Sequence, residues 1–225
     1  MSGPTDDVWT AMSTARAIRR FTDEPVDDAT LTRCLQAATW APSGANAQEW
    51  RFVVLRSPEL RAVVAQAAAQ ALRVIEPVYG MTRPAPDDDS RRARSNRATY
   101  ELHDRAGEFT SVLFVQKSFD TASDLLLGGS IFPAMQNFLL AARAQGLGAC
   151  VTAWASYGGE PLIREAVGIP QQWMLAGHVV VGWPRGNHGP VRRRPVTAVT
   201  FLDRWEDPAE DLLSAGAAPP LSEDA

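Results

Sequence analysis

Between Ser130 and Gln145, Ile131, Phe132, Met135, Phe138, Leu139 and Ala142 recur at helical spacing on one broad face, and Gly146 and Gly148 stop the pattern. A helix this apolar must be sheathed by other elements, so the chain is organised around a central core helix. Strands read at Trp50–Leu55, Val112–Val115, Ala149–Thr152 and Met174–Val181, where β-branched and apolar residues cluster, with Val196–Phe201 as a further short one. Asp7 caps a first helix to about Thr14. Asp27 caps a second, with Leu31, Cys34, Leu35 and Ala38 on one face, that ends near Trp40 ahead of Pro42 and Gly44. Pro58 opens an alanine-rich helix to about Ile75, and Pro161–Val167 forms a short helix ending at Gly168. Strands separated by helices, without tight hairpin signals, make an α/β or α+β domain with one sheet flanked by helices. Their alternation is too irregular for a plain doubly wound sheet.

The 225 residues, 45% hydrophobic and 21% charged, suit one globular domain that holds its core without staples. We place that domain at residues 1–208. A lid-like excursion at 80–108 has turn formers and charges but no sustained apolar period, and 209–225 is expected to be a disordered tail. Cys34 and Cys150 need no bridge, and the acidic N-terminal stretch Met1–Asp7 is not a secretory signal, which makes the cytoplasm the expected compartment. Apolar runs such as Leu175–Val181 fall short of the roughly 20 residues of a bilayer span, so no membrane segment is expected. With 22 basic against 26 acidic residues the net charge is −4, which offers nucleic acid or an anionic membrane no global positive field. Any anion must be bound locally.

Three groups of arginines qualify for that: Arg16, Arg19 and Arg20; Arg192, Arg193 and Arg194; and Arg91, Arg92, Arg94 and Arg97 in the excursion. Each is either solvated surface charge or part of a phosphate clamp of guanidinium forks. The stretch Ala41–Trp50 is either a helix-to-strand turn or, through its small residues, a place where backbone approaches a ligand. His103, His178 and His188 have no metal-ligand spacing, and His178 reads as a core residue. There is no G-x-S-x-G elbow, no P-loop and no G-x-G-x-x-G fingerprint. What remains is a reaction whose hard step belongs to a cofactor, and a flavin fits, because the protein then supplies orientation and a phosphate clamp.

Read together, these segments resemble the FMN-dependent nitroreductase family. Arg16-Ala17-Ile18-Arg19-Arg20-Phe21 is similar to its R-S-x-R-x-F element and Ala41 to Trp50 to its A-P-S-x-x-N-x-Q-P-W element. Gln136–Ala142 with Gly146-Leu147-Gly148, then Gly168-Ile169-Pro170, Val181-Gly182-Trp183-Pro184 and Arg193-Arg194-Pro195, follow the family's order over roughly residues 8–205. The resemblance implies an α+β fold, a central mostly antiparallel sheet flanked by helices in an intertwined homodimer. It also implies an oxidoreductase that passes hydride from NAD(P)H to flavin N5 and then electrons to a small electron-poor acceptor (nitroaromatic, quinone or enone) by a ping-pong route, with no catalytic side chain required.

By the same resemblance Arg16 and Arg19 contact the FMN phosphate or ribityl chain and the N1/O2 edge of the ring, and Arg193, with Arg192, completes the clamp. Pro42, Ser43, Gly44 and Asn46 lie along the flavin from the second subunit, and Thr152 and Ala153 offer backbone groups to the ring. Ala17 stands where the family has serine, which removes a hydroxyl, and Glu49 stands where it has proline. The excursion's arginines favour NADPH by offering charge to a 2′-phosphate. Alternatives within this resemblance are a flavin store, a flavin-fragmenting enzyme and a dehalogenase, for which Glu76, Tyr79 and Lys117 are an imperfect substrate clamp.

Overall fold

The structure is a computed structural model and describes residues 3–119 and 124–214. Helix α1 spans Val8–Thr14, α2 Asp28–Thr39, α3 Pro58–Tyr79, α4 Arg91–Asp104, α5 Asp124–Ala144, α6 Glu160–Val167 and α7 Glu210–Ser214; strands β1 to β4 span Trp50–Leu55, Thr110–Lys117, Gly148–Thr152 and Trp173–Gly182. The strands form one antiparallel sheet in the order β1-β2-β4-β3. This is the α+β, helix-flanked architecture expected from the sequence.

Strand alternation divides the core in two. Val112, Phe114, Val179, Val181 and Ala149 face α2 and α5, whereas Leu113, Val115, Val180 and Cys150 face α3, α4 and α6. Helix α5 is the central helix anticipated: Ile131, Ala134, Phe138 and Ala142 are completely buried, and Phe138 meets Phe114 edge-on at 5.5 Å between ring centroids. Phe132, expected on the buried face, is instead exposed. The helix begins before Ser130, so residues 125–144 reach the length and mean hydropathy, 1.5, of a membrane span. The expectation that no segment is long and apolar enough is corrected in that sense, and here the helix packs between α2 and the sheet.

The excursion differs most from its sequence reading. It contains α4, a helix of 14 residues with little amphipathic patterning. Local bonds and burial hold it: Ser90 Oγ accepts from Ala93 N–H at 3.1 Å, Arg83 grips Asp104 at 2.6 Å and lies over the Tyr100 ring, and Ala93, Tyr100, Leu102 and His103 are buried. Loss of this cap should be felt. Ser90→Ala is expected to lower stability by roughly 1 kcal/mol, read from the midpoint of urea unfolding.

Helix α3 runs on through Pro77 to a left-handed cap at Gly80. Val196–Phe201 is not a strand; Val196–Ala198 forms a 3₁₀ turn and Phe201 makes an isolated bridge to Pro208. Of the expected tail, residues 209–214 carry α7 with Ala209 buried, and 215–225 lie outside the described residues. Both cysteines are free and buried, and burial pushes the Cys34 thiol up to about 11.

Candidate active site

Strand β3 is an edge strand, and the segment after α1 docks on its free side. Ala17 bridges Ala149, and Ile18 N–H donates to the Ala149 carbonyl at 2.9 Å. The approach needs glycine at 148, since a Cβ there would sit 2.7 Å from Ile18 Cγ2. Further on, Phe21 is fully buried, bridges Pro184 and packs on Phe109 at 5.0 Å, and Thr22 N–H donates to the Trp183 carbonyl. Held at both ends, residues 16–20 present their side chains from a fixed backbone.

The three arginines of this segment are not equivalent. Arg20 Nε donates to Glu101 Oε2 at 2.8 Å, and Glu101 also takes Arg185, so Arg20 is a structural ion pair. Arg16 is exposed and Arg19 half-buried, and among the described residues neither has a carboxylate partner. Arg16 lines a cleft of about 190 Å³ walled by Ala17, Gln136, Leu139, Arg143, Val151 and His188. Burial and the nearby Arg16 hold the His188 pKa below its ordinary value, and its Nε2 has no partner. Arg143 is fixed by donating to Thr14 Oγ1 and to the Gly3 carbonyl, each at 2.7 Å.

A second connection joins the distant arginines to this cleft. Val191 N–H donates to the Ser13 carbonyl at 2.8 Å, which ties the segment carrying Arg192, Arg193 and Arg194 to the end of α1, just ahead of Arg16. All three are exposed, and none is paired with a carboxylate among the described residues. Thr152 and Ala153 lie at the end of β3 beside Val151. The Thr152 hydroxyl donates to the His178 carbonyl at 3.2 Å and the Ala153 carbonyl accepts from Tyr157 N–H at 3.0 Å, so the Ala153 amide N–H is what this turn can offer a ligand.

Pro42, Ser43, Gly44 and Asn46 are elsewhere in the same chain. Gly44 N–H donates to Ser130 Oγ at 3.2 Å, near the start of α5, whereas the arginine cleft touches α5 between Gln136 and Arg143. At 1.5 Å per residue the separation along α5 runs from about 9 Å at Gln136 to about 20 Å at Arg143. The turn is strained: Ala45, Asn46 and Gln48 have φ of 50°, 54° and 53°. Gln48 N–H to Ser43 Oγ, 3.1 Å, and Gln48 Nε2 to Asn46 Oδ1, 3.1 Å, hold it. Glu49, in the family's proline position, bonds Lys117 through both its carbonyl, 2.9 Å, and its carboxylate, 3.4 Å.

The dehalogenase clamp is not assembled. Glu76 accepts from the Tyr100 hydroxyl at 2.9 Å, Tyr79 pairs with Tyr157 at 2.7 Å, and Lys117 is held by Glu49. In the excursion, Arg94 and Arg97 bond carbonyls of their own loop, at Asp89 and at Ala85, whereas Arg91 and Arg92 are exposed with no partner among the described residues. Sequence reasoning missed His188 and Arg143 as walls of the cleft; neither sits in a motif, and only the tertiary contacts bring them beside Arg16.

The nitroreductase family model matches residues 12–183. The chain belongs to the nitroreductase family. It is 29% identical over 189 residues to 5,6-dimethylbenzimidazole synthase of Rhodospirillum rubrum, covering 77% of this chain and 80% of the relative. It is 28% identical over 190 residues to the nitrobenzene nitroreductase of Ectopseudomonas oleovorans, covering 75% and 82%. In fold it is similar to the FMN and NADPH-dependent nitroreductase NfnB from Sphigopyxis sp. strain HMH, with a TM-score of 0.65, 21% identity and coverage of 88% of this chain and all of that one. The family's two N-terminal elements therefore sit, in this member, on the β3 edge and beside the N-terminal part of the core helix.

Proposed function

We propose that the protein is an FMN-dependent oxidoreductase that draws electrons from NAD(P)H and delivers them to a small electron-poor acceptor such as a nitroaromatic, quinone or enone. The observation that carries this reading is a cleft beside an edge strand lined by Arg16, which has no carboxylate partner among the described residues, with the segment of Arg192 and Arg193 tied to the end of α1 just ahead of it by the Val191 N–H to Ser13 bond. Guanidinium groups left uncompensated at one place suit a phosphate dianion, which they bind through short charge-assisted bonds. Bound FMN would supply the two-electron redox chemistry.

The chain's own residues then have defined tasks. Arg16, Arg192 and Arg193 hold the phosphate end, Arg19 places a cation where negative charge builds on the ring, and the Ala153 N–H fixes the ring's edge. The family's serine hydroxyl is absent at Ala17, so more of the anchoring falls on the arginines. A cleft of about 190 Å³ is small beside the roughly 300–1,000 Å³ of pockets that enclose drug-sized ligands. We therefore propose a cytoplasmic homodimer in which the strained 42–46 turn of one copy completes the site of the other. The exposed Leu125 and Phe132 of α5, 85% and 52% accessible, and Trp205, 82%, give such a dimer apolar surface to bury.

The test is the visible spectrum of the purified protein. A flavin band that bleaches with NAD(P)H under anaerobic conditions and returns on adding a nitroaromatic is the expected result. A colourless protein that takes up no FMN contradicts it. A second reading, that reduced flavin is consumed, is favoured by the similarity to the dimethylbenzimidazole synthase. Aeration of the reduced protein separates the two, since a consumed flavin does not regain its spectrum.

A further inference from the structure

Tyr79 and Tyr157 meet through their hydroxyls. The two oxygens are 2.7 Å apart, either can donate to the other, and the rings stand edge to face with centroids 6.4 Å apart. Each phenol carries one O–H proton, so a pair that shares one bond has one proton left over, and among the described residues neither hydroxyl has a further partner. A ligand can reach it: Tyr79 is 58% accessible, and Tyr157 is half-buried, packed against the core that α3 covers. A hydroxyl that already accepts a hydrogen bond is polarised into a better donor, so the pair donates more strongly than a lone phenol. Both phenols stand on short, fixed tethers. Tyr157 lies in the π-helical turn Ala155–Gly159 that follows β3, and its N–H donates to the Ala153 carbonyl at 3.0 Å. That turn needs glycine, since Gly158 has φ of 95° and a Cβ on Gly159 would sit 2.7 Å from the Trp154 carbonyl oxygen. Tyr79 is the last residue of α3, directly before the left-handed cap at Gly80. The pair therefore joins the start of the 80–108 excursion to the turn that carries the exposed Ala153.

We propose that Tyr157, with Tyr79 hydrogen-bonded behind it, is a specificity-determining residue that donates its spare O–H to an oxygen of the electron acceptor. The favoured substrate class is thereby an acceptor whose electron-poor system ends in a hydrogen-bond-accepting oxygen, quinones foremost. This rests on the flavin reading above, because Ala153, to which Tyr157 is bonded, is the residue assigned there to the edge of the ring. Negative charge builds on a carbonyl oxygen as the conjugated system takes up electrons, and a donor already in place there gains strength as the charge grows. An acceptor that takes electrons without such an oxygen gains nothing from the pair.

The experiment uses the FMN-loaded protein with two acceptors, menadione, a quinone, and ferricyanide, which takes electrons one at a time without a hydrogen bond. In Tyr157→Phe the kcat/KM for menadione is expected to fall about tenfold, while that for ferricyanide and the bleaching by NAD(P)H stay unchanged. Tyr79→Phe is expected to lose less, because Tyr157 keeps its O–H and loses only the polarising partner. An unchanged kcat/KM for menadione in Tyr157→Phe overturns the proposal. So do equal losses with the two acceptors, which mark the pair as a structural tie between α3 and the turn. Should the protein prove colourless, which counts against the flavin reading, calorimetric binding of menadione still decides the role of Tyr157. Binding by wild type that Tyr157→Phe weakens supports it; equal affinities, or no binding by wild type, refute it.

Discussion

Arg16→Ala, and more strongly the double variant Arg16→Ala/Arg193→Ala, should release FMN while leaving thermal unfolding unchanged. Each charge-assisted bond from guanidinium to phosphate contributes roughly 1.5–3 kcal/mol, so one deletion weakens FMN binding by roughly 10- to 150-fold. The fold should not notice, because both side chains are exposed and, among the described residues, neither balances a carboxylate. Arg20→Ala is the control from the same segment. It breaks a pair with Glu101 and should lower stability more than it lowers flavin affinity. Fluorescence titration of the apoprotein with FMN measures the first quantity and urea unfolding the second. Full affinity in Arg16→Ala would remove the cleft from the phosphate site.

Acid should destabilise the protein well before its carboxylates titrate. His178 lies wholly inside the sheet, neither ring nitrogen has a partner, and Trp154 meets it edge-on at 5.0 Å. Burial alone pushes its pKa down to about 3 from an ordinary 6.5. The unfolded chain binds a proton at His178 below pH 6.5 and the folded chain does not until about pH 3, so stability is full above pH 6.5 and falls as pH drops through that window. The slope is about 1.4 kcal/mol per pH unit, or roughly 2 kcal/mol lost by pH 5. Burial lowers the His103 pKa too, with the same sign, although a bond from its Nδ1 to the Thr99 carbonyl at 2.8 Å opposes it. Urea midpoints from pH 7 to 5 for wild type and His178→Leu provide the measurement. The wild-type midpoint should slide and the variant's should flatten; parallel profiles would mean that His178 is not the cause.

Much of the molecule was legible before any coordinates, for reasons particular residues make plain. The period of Ile131, Met135 and Phe138 required a buried helix, Asp7 and Asp27 capped the helices they were expected to cap, and β-branched runs marked all four strands. The R-x-x-R segment and the Ala41–Trp50 turn stood out through their resemblance to family elements, since their residue types alone left a bland reading open. Helix α4 was not, since its pattern is only weakly amphipathic and its buried residues depend on packing against elements distant in sequence. Nor did the β-branched Val196–Phe201 reveal that it folds into a 3₁₀ turn rather than a strand.

The local sequence thus determined which elements form and which arginines are available, because caps, turns and periodicity act over a few residues. Tertiary structure decided which of those arginines are free: Glu101, 81 residues from Arg20 along the chain, claims it, and the Val191 bond to Ser13 carries Arg192 and Arg193 to Arg16. It also decided that the strained turn at 42–46 meets α5 at Ser130, toward its N-terminal part, and that Gln116 Oε1 is buried without a partner among the described residues. Pairing and burial are properties of contacts between distant segments, and no local pattern encodes them.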